Sequence, residues 1–293
     1  MKIINLTLIA LILLSGCRNN EQESDAYGNF EAKEIIVSAE ANGKILKLYI
    51  NSGELLKEGQ KIGLIDTMQL SLKLSQIVAQ KNAIQTKFEN IVSQVNVLEE
   101  QKKVFLTEKR RLEKLVKDKA APKQKLDKID GEIRIINSRI KSVNTQRNSI
   151  SKEIEVLQKQ KEIVKFQLEK CKMINPVKGT ILTKFVEQGE MAGIGRPLYK
   201  IADISEMFLR VYISGNQLPN IKIGQKVDVF IDKSKKENQK LSGKISWISS
   251  QAEFTPKIIQ TKEERVDLVY AVKIIVKNDG RLKIGMPGEI DFE

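Results

Sequence analysis

A seven-residue apolar repeat from Gln69 to Lys172, broken only once, constrains this chain more than any other feature. Leu70, Ile77, Ile84, Ile91, Leu98, Phe105 and Leu112 recur at heptad spacing, with Leu74, Phe88, Val95 and Val116 in the neighbouring column. After Lys119-Ala-Ala-Pro122 the pattern resumes with Ile129, Ile136, Val143, Ile150, Leu157, Val164 and Cys171, accompanied by Leu126, Ile133, Ile140, Ile154 and Leu168. A period of 3.5 residues keeps one apolar seam turned to a partner helix, so both stretches predict coiled-coil helices. Each arm of about 50 residues would run roughly 75 Å. Equal arms joined by a single Pro-containing break predict one chain folded back on itself, because an intermolecular coil gives no reason for a midpoint break. Pro122 cannot continue the first helix but suits the first turn of the second. Lys81, Lys102, Lys109, Arg147 and Lys161 fall in seam columns and read as long stems with their heads in water. Gly131 costs the second arm about 1 kcal/mol relative to Ala, too little to end it.

The 293 residues contain no histidine, 5% aromatic and 30% charged residues. That removes the commonest general base and transition-metal ligand, and with them most triad hydrolysis and His-based zinc chemistry. The composition argues against an enzyme and for thin, elongated elements. The formal charge is +13, and residues 69–170 hold 23 Lys and Arg against 13 Asp and Glu. Such a field attracts anionic surfaces or acidic protein rims, or is simply a solvated coiled-coil face. No zinc-finger, basic-zipper or helix-turn-helix pattern accompanies it, and aromatic residues are not interleaved with it, so no nucleic-acid partner is expected.

At the amino terminus, Met1 and Lys2 precede the apolar run Ile3–Leu14 and then Ser15-Gly16-Cys17. This reads as a secretory signal, with a core too short to span a bilayer. The ending resembles a bacterial lipobox, which implies cleavage after residue 16, acylation of Cys17 and a lipid-anchored polar tether over residues 17–33. Cys171, in the heptad seam, reads as a small buried apolar residue.

The stretches flanking the arms repeat one another. Gly43-Lys-Ile-Leu, Gly53, Gly59 and Ile65 match Gly179-Thr-Ile-Leu, Gly189, Gly195 and Ile201 at the same intervals. Both alternate apolar and polar residues between glycines, as short strands do. A shared core is expected from Ile45, Leu48, Ile50, Leu55, Ile62 and Ile65 with Ile181, Phe185, Val186, Leu198 and Ile201. Residues 34–68 and 173–204 resemble the two halves of a lipoyl or biotinyl domain. Asp66-Thr-Met-Gln69 occupies the place of the modified lysine of such carriers, so no cofactor is expected.

Beyond Ser205, residues 205–293 predict a small antiparallel β-barrel with strands at Met207–Ile213, Lys226–Ile231, Leu241–Ile248, Val266–Val276 and Gly288–Phe292. Turns fall near Gly224, Gly280 and Gly285, and Asp232–Lys240 reads as an exposed hairpin tip.

The expected class is therefore elongated α+β: a helical hairpin (69–172) inserted in a lipoyl-like sandwich, followed by a barrel. That order resembles the HlyD-type periplasmic adaptor, or membrane fusion, family. Local matches are Val37-Ser-Ala-Glu-Ala-Asn-Gly43-Lys-Ile, Ile174-Asn-Pro176-Val-Lys-Gly179-Thr-Ile and, in the barrel, Phe254-Thr-Pro256, Thr261–Arg265 and Lys283-Ile-Gly285-Met-Pro-Gly288. These last resemble adaptors of ABC-type exporters. The resemblance implies a non-enzymatic periplasmic protein of a Gram-negative bacterium, anchored at the inner membrane. It also implies a ring, usually of six copies, between an inner-membrane ABC permease with its ATPase and a TolC-like outer-membrane channel, serving efflux or secretion. Arg111, Leu112 and Leu115 match the family's channel-docking tip, whereas Pro122 replaces its serine. Lys117, Lys119 and Lys123 offer charge complementarity instead. The other reading is a lipid-anchored envelope scaffold that acts without a transporter.

Overall fold

The computed structural model describes residues 24–234, 237–254 and 268–292. Cys17, the signal segment and Thr261–Arg265 lie outside the described residues. In chain order the strands are β1 (Ala26–Glu31), β2 (Glu34–Ser38), β3 (Gly43–Leu48), β4 (Leu55–Leu56) and β5 (Lys61–Ile65). Helices α1 (Met68–Lys117) and α2 (Lys123–Lys170) follow, then β6 (Lys172–Ile174), β7 (Gly179–Lys184), β8 (Met191–Ala192) and β9 (Pro197–Ala202). The remaining strands are β10 (Glu206–Ser214), β11 (Lys226–Ser234), β12 (Glu237–Ile248), β13 (Glu253–Phe254), β14 (Leu268–Lys277) and β15 (Pro287–Phe292). The chain divides into two compact units.

One unit, Ile36–Val177 with Thr183–Tyr199, contains the hairpin and the strands around its base. Strands from before and after the helices share its small sheet, ordered β6-β5-β3-β8. Across the break in the repeat, Ile45 N–H donates to the Glu190 carbonyl and Gly189 N–H to the Ile45 carbonyl, each at 2.8 Å. The repeat is also conformational. Gly53 and Gly189 have φ of 87° and 97°, Gly59 and Gly195 have 76° and 84°, a left-handed backbone that favours glycine. Two expected core members face solvent: Leu55 is exposed while its neighbour Leu56 is buried in its place, and Phe185 is exposed beside Val186, which is buried as expected. Side chains alternate across a strand, so a one-residue error in phase exchanges inside for outside.

Asn175 is fully buried and ties the two halves of the repeat together. Its Nδ2 donates to the Lys57 carbonyl at 2.8 Å and to the Val177 carbonyl, and its Oδ1 accepts the Tyr199 hydroxyl at 2.7 Å. Tyr199 is also fully buried, and desolvation pushes its phenol well above the ordinary tyrosine range.

The two helices pair antiparallel along their seam. α2 ends at Lys170, two residues before the limit read from the sequence, because Lys172 opens β6 against β5. Cys171 caps α2 and is fully buried. The lysines of the seam depart from expectation. Lys81 Nζ donates to Gln158 Oε1 at 2.8 Å, and Lys109 Nζ meets Asp130 Oδ1 at 2.7 Å, so these two heads bridge the helices and do not simply reach water. Both pairs keep one register along the hairpin, which sets Lys109 and Asp130 as a staple near its far end.

The other unit holds a closed barrel, β10-β1-β15-β11-β12-β14, with β10 returning to β14. Phe30, Met207, Leu209, Val229, Ile274 and Ile290 are fully buried in its core. β1 comes from the stretch that the sequence assigns to the tether. Only Ala26 and Phe30 of that strand are buried, so its apolar signal is slight. Gly28 is required there, since a Cβ would lie 1.8 Å from the Arg210 carbonyl oxygen. β11 and β12 extend into the stretch read as a hairpin tip, pairing Asp232 with Asn238.

Candidate docking tip of the helical hairpin

The turn of the hairpin is built by backbone chemistry. At the end of α1, Asp118 N–H donates to the Lys114 carbonyl, Lys119 N–H to Val116 at 3.1 Å, and Ala120 N–H to Leu115 at 2.7 Å. The last bond spans five residues and is the closing bond of a Schellman C-cap, whose left-handed position glycine usually fills. Here Lys119 takes it, with φ of 57°. A lysine in that conformation costs about 1 kcal/mol relative to glycine. Pro122 follows in extended conformation as the residue before α2, one position earlier than the first-turn placement read from the sequence. The Lys125 N–H donates to its carbonyl at 3.1 Å.

This geometry sets the tip side chains. Arg111, Lys117, Lys119, Pro122 and Lys123 are exposed, while Leu112 and Leu115 are half-buried against the seam. Arg111 lies 3.7 Å from Glu108, a surface pair worth little. A shallow groove of about 400 Å³ on the outer face of α1 is lined by Thr107, Arg110, Arg111, Lys114 and Leu115. Arg110 and Lys114 thus join the tip residues although the sequence motif omits them. Their i, i+3, i+4 spacing from Thr107 and Arg111 is the signal that finds them. From Arg110 to Lys128 eight Lys and Arg face three Asp and Glu.

Below this surface the Lys109–Asp130 staple holds the arms together. The hydrogen bond to Asp130 holds the Lys109 ammonium above its ordinary range. The tip therefore combines two supported leucines, a fixed turn and a dense positive surface. No group of His, Cys, Asp and Glu suited to a metal ion occurs among the described residues, and no helix there is long and apolar enough to cross a membrane.

No family model matches the chain. A UPF0194 membrane protein of Yersinia enterocolitica is 33% identical over 126 residues, which are 43% of this chain and 38% of that protein. The UPF0194 membrane protein YbhG of Salmonella arizonae is likewise 33% identical over 126 residues, with the same coverage of 43% and 38%. The match spans about two fifths of the length of these curated relatives. Among solved structures, MacA from Actinobacillus actinomycetemcomitans superposes with a TM-score of 0.60 over 90% of this chain and 76% of that one, at 23% identity.

Proposed function

We propose that this chain, whose fold is that of the periplasmic adaptor or membrane fusion proteins, couples an inner-membrane exporter to an outer-membrane channel. The observation that carries this reading is the interrupted sandwich: a 50-residue and a 48-residue helix inserted between two halves of one small β repeat, ending in a basic turn. Such a rod transmits no chemistry. It spans distance and presents a docking surface at its far end.

In this reading the exporter is of ABC type, a permease with its ATPase, and the channel is TolC-like. Six copies form the ring, and a lipid on Cys17 anchors each to the inner membrane on its periplasmic side. Arg111, Lys117, Lys119 and Lys123 meet acidic groups at the mouth of the channel, while Leu112 and Leu115 brace the contact from the seam. Pro122 sets the turn in place of the family's serine contact. Exposed tip charges contribute little to folding, so they can be reversed without unfolding the rod.

The experiment is export by cells carrying Arg111→Glu with Lys117→Glu, together with crosslinking pull-downs from solubilised envelopes. Abolished export with an unchanged unfolding midpoint supports the assignment. Unchanged export removes the tip from the mechanism, and recovery of neither a permease nor a channel after crosslinking overturns the adaptor reading.

A further inference from the structure

At the other end of the hairpin, within the same unit, the base of α2 and the outer face of β3 and β8 enclose a cleft of about 710 Å³. Clefts that take small ligands run from about 300 to 1,000 Å³. Leu70, Ile163, Phe166, Met191 and Ile194 supply an apolar wall. Ile194 is 70% and Phe166 64% exposed, a large apolar area to leave in water.

This wall is preformed. Ile194 N–H donates to Asn42 Oδ1 and Gly195 N–H to the Ala39 carbonyl, each at 2.9 Å. The Arg196 guanidinium donates to the Met191 carbonyl and pairs with Glu190 at 2.6 Å. These bonds hold Met191 and Ile194 outward where a flexible loop would fold them away.

The charges lining the cleft are unequally committed. Lys170 pairs with Glu40 at 2.5 Å, and its Nζ lies 5.3 Å from the centre of the Phe166 ring. Asp66 Oδ1 accepts the Met68 N–H at 2.8 Å and so caps the first turn of α1. Lys44, opposite Met191 in the β3–β8 register, has no ion pair among the described residues. Among the described residues, Lys44 is therefore the one cation of the lining without an ion pair, at the edge of an apolar wall, and the one carboxylate without an ion pair, Asp66, is engaged by the first turn of α1.

We propose that this cleft binds a single-chain anionic amphiphile, its head on Lys44 and its chain along Phe166, Ile163 and Ile194. The proposal rests on this unit alone and does not depend on the adaptor reading.

The test is titration of the full chain, labelled at methionine methyl carbons, with dodecanoate below its micellar concentration. The Met191 signal, assigned with Met191→Leu, should shift saturably. Lys44→Glu, a change at an exposed strand position, should weaken dodecanoate binding at least about tenfold, the loss of a charge-assisted contact. The same variant should gain binding of dodecyltrimethylammonium. Shortening the chain to octanoate should weaken binding by up to about fourfold per methylene removed. The inference is overturned if the Met191 signal does not saturate below about 1 mM, which would leave only non-specific affinity. Equal affinity of Lys44→Glu and wild type, or tighter binding of the cation by wild type, overturns it as well.

Discussion

The hairpin and the strands at its base that share its unit are held together in opposite ways. In the sandwich Ile45, Leu56, Ile65 and Tyr199 are completely buried. Along α1, the longest element of the chain, Ile77 and Val95 are the buried residues, and the other seam positions are half-exposed. Two helices cover their seam from one side each, whereas packed sheets enclose a side chain from every direction. The rod therefore spreads its stability thinly over many repeats, and the sandwich concentrates it in a few positions. The first arrangement tolerates change at exposed positions, because no single exposed residue decides whether the rod folds.

Truncation separates the two regions most sharply. Ile45→Ala should cost about 3–4 kcal/mol, the usual toll of an aliphatic side chain removed from a closed core. Leu98→Ala, at a half-exposed seam position, should cost about 1–2 kcal/mol. Denaturant unfolding of the two variants side by side decides it, and equal losses would break the contrast.

Asn175 sharpens the same point with a polar residue. Its replacement by Ala would leave the buried Tyr199 hydroxyl without its partner and remove the bonds to the part-buried Lys57 and Val177 carbonyls. Each unsatisfied group costs about 1–3 kcal/mol before relaxation, so a net loss of about 3 kcal/mol is expected in thermal unfolding. Polar changes at Gln76 or Gln160 on the rod should stay within about 0.5 kcal/mol.

Alkaline pH probes that network a third way. Burial raises the Tyr199 phenol above its unfolded value, so the native state keeps a proton that the unfolded chain gives up. Stability from this group is complete below the unfolded pKa of about 10 and falls as pH rises beyond it. Tyr199→Phe should show a smaller loss between about pH 9.5 and 11 than wild type, followed by circular dichroism.

What could be read beforehand divides along the same line. Periodicity announces the hairpin, because a seam of 3.5-residue spacing leaves a mark at every turn of Leu70–Val116. Glycines announce the sandwich, since positive φ at Gly53, Gly59, Gly189 and Gly195 leaves little choice of residue. The strand Ala26–Glu31 was hidden, because only two of its side chains enter the barrel. Lys109–Asp130 was hidden for another reason: pairing across a hairpin depends on register, which the turn at Lys119 sets. Of the residues along the groove near the tip, Arg111 and Leu115 belong to the sequence motif, whereas Arg110 and Lys114 are seen only once helix geometry places them beside these two.

The smallest expected effect has the opposite sign. Lys119 occupies a left-handed cap position that glycine fills without strain, so Lys119→Gly should stabilise the hairpin by up to about 1 kcal/mol. In the sandwich, Gly53 and Gly189 already fill the equivalent conformations, and no such gain is available there. If Lys119 is kept for its charge, the glycine variant will be more stable in thermal unfolding and weaker in docking, and Lys119→Arg will restore docking alone. A variant that gains stability and docks as wild type does would show that the lysine at the turn serves no contact.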